Sequence, residues 1–527
     1  MATVTAPPLI KTSPIADRGC RVPLGIALAL YGAITAAVFF ASFRAADHHF
    51  VFALDDPYIA MAMARSLALH GTWGVTRFAF SSASSSPLFT LILAFLYRLT
   101  GVHEITSLVV SWTAGAFAIY LADRFLREHL NWRLRVVTLT IFVVATPLFV
   151  IGLLGMEHTL HLALALAFVS GFDKASDSPR RLFAITALMV GARYESLFLV
   201  GAAAILFATQ RKWRPMFWMI GGAALTVAAY GAFAMSHGSY FLPNSVALKG
   251  TGLMGWLAPI LVIMKIIIAP HLAILLLALS ISAIALRRSQ PRLAQLALLL
   301  AIAGTGHLIF ARTGGAFRYE AYFVALSCLV LAITAARWSD FATRPRSLFL
   351  VAMLAAACLL AVRSGKAALA FPGYSRAIYQ EQMQSARFLR TYFPSSSVAA
   401  NDIGAISFFT DIQCTDLVGL ADDKIFFAKR AGLYTTDFLR SEAAANHVQI
   451  AVVYDSWSTE PGGYWKIPPL PSEWVRIAKL QVPHSEILGG DVVSFYAVDP
   501  STIAPLQSAL HRFGPTLPAA DRLTFQY

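Results

Sequence analysis

The pair Asp55-Asp56, in "HHFVFALDDPYIAMAMARSLALHGTWG", opens the list of residues able to do chemistry. It follows the first long apolar stretch of the chain. Asp56-Pro57 reads as a helix start, with Asp56 at the N-cap and Pro at the first helical position. One cap needs one side chain, so Asp55 is left over. A second carboxylate beside a membrane face must be hydrated, paired with Arg65 or Arg77, or used. Further along come Glu157 with His158 and His161, Arg193 with Glu195, Asn244 and Lys249 in "YFLPNSVALKG", and Arg312, Arg318 and Glu320 in "ARTGGAFRYEAYF". A carboxylate can take the proton of an attacking hydroxyl. Cations can hold a phosphate whose negative charge grows as it leaves. Each residue also has a plainer reading. Glu157 suits the positive end of a helix dipole. Arg193 and Glu195 can pair with each other, Lys249 can be solvated in a turn, and an arginine at a membrane edge can snorkel.

The elements that must position these residues are membrane helices. Of 527 residues, 57% are hydrophobic and only 13% charged, against about 25% charged in soluble domains. Mean hydropathy is +0.63. Apolar runs fall at 22–43, 104–122, 136–152, 158–172, 182–194, 195–209, 215–235, 255–285, 293–310, 319–336 and 347–364. The 255–285 run is either one tilted helix or two pieces broken at Pro270. The net charge of +14 belongs to topology rather than to a nucleic-acid partner, because Lys and Arg collect in alternate turns. One set holds Arg124, Arg127, Arg133 and Arg135, then Lys174, Arg180 and Arg181, then Arg211, Lys212 and Arg214. The positive-inside rule then predicts about 11 spans with a cytoplasmic amino terminus. Val22–Phe43 is too long for a signal-peptide core and reads as a retained span.

The predicted fold is a polytopic α-helical membrane bundle with a C-terminal extracytoplasmic α/β domain. Residues 1–21 are expected to be a disordered cytoplasmic segment. Residues 22–364 form the membrane domain, with an outer loop 44–103, and residues 365–527 form the outer domain. In the loop, the 13-residue segment Ser86–Arg98 is too short to cross and "SSASSSPLF" reads as a flexible polar turn. In the tail, "HVQIAVVYDSW" and "GGDVVSFYAVD" read as strands and Arg376–Tyr392 as a helix. Asp402 and Asp416 read as strand-end or turn residues. Cys20, Cys328, Cys358 and Cys414 form no CxxC pair, so neither a disulfide framework nor a zinc site is indicated. No P-loop or dinucleotide fingerprint occurs.

Carboxylates and arginines thus converge on the outer face of a helical bundle, an arrangement suited to a sugar carried on a lipid phosphate. A transporter of an envelope precursor and a non-enzymatic envelope scaffold are the alternatives. A transporter predicts internal repeats and broken midplane helices, and no clear repeat is visible.

The ordered series "LDDPYIAMAMARSLALHGTWGV", "SSPLFTLILAFL", "GLLGMEHTL", "ARYESLFLV", "YFLPNSVALKG", "FRYEAYFVAL" and "VAANDIGAISFFTDIQCTDLVGL" resembles the class C integral-membrane glycosyltransferases. Within them it is similar to the terminal arabinofuranosyltransferases of the mycobacterial cell wall. The resemblance implies an inverting transfer of a sugar from a polyprenyl-phosphate donor to an envelope glycan or lipid acceptor, on the outer face of the bacterial plasma (inner) membrane. It implies a catalytic aspartate at Asp55, with Asp56 as neighbour. It places Glu157, Arg193, Glu195, Asn244, Lys249 and Arg318 in the donor-binding lining. The chain departs from the family pattern at Pro57, His158, "RYES" and the serine-rich stretch before Pro87. Metal dependence stays open: Asp55 and Asp56 could share Mg²⁺ or Mn²⁺, though no third ligand is apparent.

Overall fold

A computed structural model describes residues 19–172, 175, 177–249, 258–337, 346–459 and 465–526. Residues 1–18, most of the segment expected to be disordered, and Lys174 lie outside the described residues. Among the described residues, five helices are long and apolar enough to cross a membrane. They are Val22–Ala45, Ile105–Leu126, Trp213–Ser236, Pro291–Phe310 and Ser347–Tyr392. A sixth span arises if Ile260–Ile268 and Pro270–Leu286 count as one. These two pieces bend by 97° at Ala269, which fits the missing N–H and fixed φ of Pro270. Shorter apolar helices, His158–Gly171, Ser196–Thr209 and Ala321–Ala336, pack among the long ones. The apolar run 136–152 is not one helix: Trp132–Ala145 stops before Pro147 and Leu148–Leu153 follows. The chain is a multi-pass membrane protein, and at this level the architecture is the helical bundle with a small sheet domain at its C-terminal end.

The last long helix carries the chain out of the bundle. At 46 residues it is roughly 69 Å long at 1.5 Å per residue, against a hydrocarbon core of about 30 Å. The helix expected at Arg376–Tyr392 is therefore no separate element but the end of this rod, which passes through a π-helical turn at Tyr379–Met383. Beyond it lies a six-stranded sheet: β1 (Ser397–Ala400), β2 (Gln413–Asp416), β3 (Ile450–Tyr454), β4 (Val475–Gln481), β5 (Val492–Ala497) and β6 (Arg522–Phe525). Their order is β2-β1-β3-β5-β4-β6. β1 runs parallel to β2 and β3, and the remaining pairs are antiparallel. β3, buried along its whole length, reads as the continuous apolar run of a two-sided central strand.

This domain sits against the segment that follows the first long helix. The helix Asp56–His70 packs on the short helix Gly404–Phe409. Arg65 donates to the carbonyls of Phe408 (2.7 Å) and Thr410 (2.8 Å) and pairs with Asp411. Tyr58 meets Phe408 and Phe409 through ring contacts. On another side, Asp423 accepts from Ser239 Oγ (2.8 Å) and Asn244 Nδ2 (2.7 Å). These groups tie two regions more than 170 positions apart in sequence.

Candidate active site

A cavity of about 290 Å³ opens between the segment 44–103 and one end of the membrane helices. Its polar wall holds Asp56, Ser84, Ser85, Glu157, Arg193, Glu195, Arg312, Arg318 and Tyr319. Ile59, Met156, Leu197, Phe198, Leu242, Val246 and Phe310 supply an apolar wall. Leu420 comes from the sheet domain, so the cavity is built from both halves of the chain.

The two aspartates part company. Pro57 starts the helix Asp56–His70, Gly71 ends it in the left-handed conformation (φ 71°), and the Asp55 side chain at the cap position makes no capping bond. The expected N-cap role for Asp56 is thus corrected: Asp55 occupies the cap position, and the Asp56 carboxylate pairs with Arg318. Asp56 lines the cavity and Asp55, among the described residues, does not. The Asp55 carboxylate, 8% exposed, turns toward the sheet domain. It accepts the amides of Gly404 (Oδ2, 2.6 Å) and Ala405 (Oδ1, 2.7 Å). A Cβ on residue 404 would collide with the Asp55 carbonyl and carboxylate, which is why glycine stands there. Arg65, one expected partner of Asp55, is committed to Asp411 instead. The neighbouring carboxylates face different partners, and no cluster of three or more His, Cys, Asp or Glu suited to a cation occurs among the described residues. The geometry does not fit a Mg²⁺ or Mn²⁺ ion shared by Asp55 and Asp56.

Around the cavity the charges are interlocked. Arg193 donates to Glu157 (2.6 Å) and forks onto Glu195, with Nε at 3.0 Å from Oε2. Glu157, 2% exposed, is held where the left-handed Gly155 (φ 64°) turns the chain beneath Phe52; a side chain at 155 would strike that ring. Arg318, 5% exposed, donates to Asp56 and to Tyr319 Oη (3.2 Å). Its Nε and Nη1 are buried without an acceptor among the described residues. Unmade hydrogen bonds of a buried cation cost roughly 1–3 kcal/mol or more, so these donors favour an anionic oxygen in the cavity. The Tyr319 ring meets both Arg193 (5.6 Å from the ring centroid) and Arg318 (4.9 Å).

Other expected residues sort differently. Asn244 is fully buried and tied to Asp423; it does not line the cavity, although its neighbours Ser245 and Val246 do. Lys249 ends the helix Asn244–Lys249, and its side chain lies outside the described residues. The serine-rich stretch is no flexible turn. Ser81, Ser82, Ser84 and Ser86 are buried. Ser82 meets Tyr230 Oη at 2.8 Å, Ser84 meets Thr90 at 2.8 Å, and Ser86 caps the helix Pro87–Thr100. Glu320 is drawn away to Arg363 (2.6 Å) and the Gly314 amide (2.8 Å). Tyr319 and Leu420 were missed as lining. An aromatic residue next to Arg318 was a visible signal for the first. Nothing local in "TDLVGL" signals the second.

With this geometry in place, comparison with solved structures defines the class. The chain has the fold of the class C integral-membrane glycosyltransferases. It is similar to ArnT from Cupriavidus metallidurans, solved bound to undecaprenyl phosphate: TM-score 0.51, 13% sequence identity, 90% of this chain and 98% of that chain covered. An oligosaccharyltransferase from Archaeoglobus fulgidus gives a TM-score of 0.47 at 11% identity, covering 92% of this chain and 75% of that one. The arabinofuranosyltransferase AftD from Mycobacteria gives 0.45 at 15% identity, covering 91% of this chain and 42% of that one. Residues 375–496 match a domain of unknown function, DUF8728. No curated protein matches the chain by sequence.

Proposed function

We propose that the protein transfers a sugar from a polyprenyl-phosphate donor to an envelope glycan or lipid on the outer face of the bacterial plasma membrane, with inversion at the sugar carbon. The observation that carries this reading is one carboxylate, Asp56, set in a half-apolar cavity beside an arginine, Arg318, with two buried donors that are unpaired among the described residues. The donor phosphate takes those N–H groups, and the apolar wall accommodates the start of the lipid chain. Binding of the phosphate competes for Arg318 and releases Asp56 to act as general base. The acceptor hydroxyl gives its proton to Asp56 as its oxygen bonds to the anomeric carbon. The bond from that carbon to the phosphate oxygen breaks, and polyprenyl phosphate leaves with the electron pair. Arg318 meets the developing charge, while Glu157 and Glu195 hold Arg193 in orientation. Asp56 rather than Asp55 carries the base role in this scheme, because Asp56 reaches the cavity. The orientation, with the amino terminus in the cytoplasm and the sheet domain outside, rests on the Lys and Arg bias of the turns.

The test is turnover of a panel of polyprenyl-phosphate sugars by the full chain in membranes. Wild type, Asp56→Asn and Asp55→Asn are compared at equal insertion, and the product anomer is identified. Turnover of one donor, abolished in Asp56→Asn, is expected. Wild-type turnover in Asp56→Asn would remove the base assignment. Retention at the anomeric carbon would remove the single-displacement mechanism.

A further inference from the structure

Glu320 follows the Arg318-Tyr319 pair of the cavity in sequence, yet among the described residues neither it nor its partner Arg363 lines that cavity. The backbone between the helices Pro291–Phe310 and Ala321–Ala336 gives this buried ion pair a purpose. Four consecutive residues, Gly314 (φ 82°), Gly315 (55°), Ala316 (56°) and Phe317 (69°), lie in the left-handed region. Glycine adopts it freely, but in alanine and phenylalanine the Cβ is pressed toward the following carbonyl oxygen. Such a run persists only where its surroundings over-determine it. Arg318 comes directly after it, so the run sets where the guanidinium points.

The surroundings hold both ends of the run. Glu320 Oε2 accepts the Gly314 amide (2.8 Å). Glu320 Oε1 accepts from Arg363 Nη2 (2.6 Å), and the same Nη2 donates to the Phe317 carbonyl (2.8 Å). The Arg363 guanidinium also lies over the Phe317 ring, 5.1 Å from its centroid. Glu320 and Arg363 are both buried, and His271 Nε2 stands 3.9 Å from the same Glu320 oxygen. Before the run, Lys265 Nζ donates to the carbonyls of Leu308 (3.1 Å), Ile309 (3.2 Å) and Ala311 (2.9 Å), which fixes the entry to the loop. Arg363 belongs to the long helix Ser347–Tyr392, so the rod that carries the sheet domain also braces the cavity's arginine.

We propose that Glu320 and Arg363 are positioning residues: their ion pair clamps the left-handed run Gly314–Phe317 in the conformation that turns Arg318 into the cavity, and so sets the affinity for a lipid-linked phosphate. The clamp does not rest on the transferase reading; its effect on phosphate affinity does, because that reading gives Arg318 its ligand.

The variants follow from the geometry. Arg363→Met keeps an apolar stem and removes both bonds. Both bonds come from one nitrogen, so in Arg363→Lys the single Nζ, a three-fold donor, can remake them. Ala316→Gly removes a left-handed penalty from the loop itself. Added to Arg363→Met, it should recover what the clamp supplied, which it would not do if Arg363 merely stabilised the fold.

Two readouts use the full chain in bilayers. The first is hydrogen exchange of the Gly314 amide and of the Arg318 amide, which donates to the Gly314 carbonyl (3.1 Å), with no ligand present. Arg363→Met is expected to lower protection about tenfold, Arg363→Lys to keep it, and Arg363→Met with Ala316→Gly to regain part of it. The second is direct binding of undecaprenyl phosphate. Its affinity is expected to fall about tenfold in Arg363→Met through misplacement of Arg318, and to recover in the same two variants. Wild-type protection in Arg363→Met overturns the clamp. Lost protection with wild-type affinity overturns its hold on Arg318. Absence of any recovery in both Arg363→Lys and the Ala316→Gly combination reduces Arg363 to a fold-stabilising residue and overturns the proposal. If Arg363→Met fails to insert, Glu320→Gln with Arg363→Met, which leaves neither charge buried alone, replaces it with the same expected losses. The expected protection pattern in a protein that binds no undecaprenyl phosphate upholds the clamp and sinks the phosphate reading of Arg318.

Discussion

Two buried arginines, at opposite ends of the bundle, solve the same problem in different ways. Arg135 is fully buried and meets Asp123 through Nε (3.0 Å) and Nη2 (2.6 Å), while Nη2 also reaches the Cys20 carbonyl (2.9 Å). The second oxygen of Asp123 is taken by Arg127, at 2.6 and 2.9 Å. That cluster is closed: both oxygens of the buried carboxylate are occupied, one by each arginine. Arg318 has one carboxylate and one phenol, and among the described residues two of its donors are left over beside a cavity. A buried charge with spare donors is costly for a protein that does nothing with it. The contrast separates a cation that staples helices from one held ready for a ligand.

The comparison can be broken most sharply at the carboxylates. Asp56→Asn is expected to lower turnover about a thousandfold, in the range of general-base loss, with a smaller loss of thermal stability than a change at the fully buried Asp123, because the Asp56 side chain is 27% exposed. Asp123→Asn is expected to do the reverse: weaken the fold and leave turnover per folded molecule unchanged. Single-turnover assays paired with melting curves distinguish them, and a catalytic loss at Asp123 would erase the distinction. Next in size, Arg135→Ala leaves Asp123 with an uncompensated buried oxygen and should destabilise by about 3–5 kcal/mol, read by denaturant or thermal unfolding in detergent.

Smaller effects sharpen the picture. Arg318→Lys keeps the charge but loses the planar fork. Affinity for a polyprenyl phosphate is expected to fall about 10- to 100-fold in a direct binding assay, and equal affinity would mean that the spare donors are not used. Asn244→Ala removes one buried tie to the sheet domain and should cost about 1–2 kcal/mol, visible as faster proteolysis near Asp423, with donor affinity nearly unchanged. A large loss of donor affinity would return Asn244 to the cavity wall.

A last and smallest effect concerns pH. Asp422 caps the helix Asp423–Ala431, and burial pushes its carboxyl up to about 6. The raised value means that the domain loses stability as pH rises through about 6. Asp422→Asn keeps a capping oxygen and should stabilise the domain by about 1 kcal/mol at pH values above that point. At pH values well below 4 no difference is expected, and melting curves across this range check both ends.

How much of this was legible in the chain differs residue by residue. Hydropathy and the spacing of Lys and Arg exposed a helical membrane protein, because a bilayer demands long apolar runs with internally satisfied backbones. Apolar runs bounded by polar turns announced β3 and β5, Pro57 and Gly71 marked the ends of the helix Asp56–His70, and Pro270 marked a break. The ordered motifs pointed to a class C glycosyltransferase, and the fold is of that class. The facing of each side chain was not legible. Asp55 and Asp56 are neighbours of identical chemistry, and only the docking of Gly404 decides which one turns from the cavity. Asn244 looked like a ligand-binding residue until Asp423, 179 positions away, arrived to claim it. Local sequence sets propensity, charge and apolar surface, which act over a few residues. Pairing of buried charges is a long-range matter, since the partner that removes the cost of burial comes from wherever the packed helices and the sheet domain bring it.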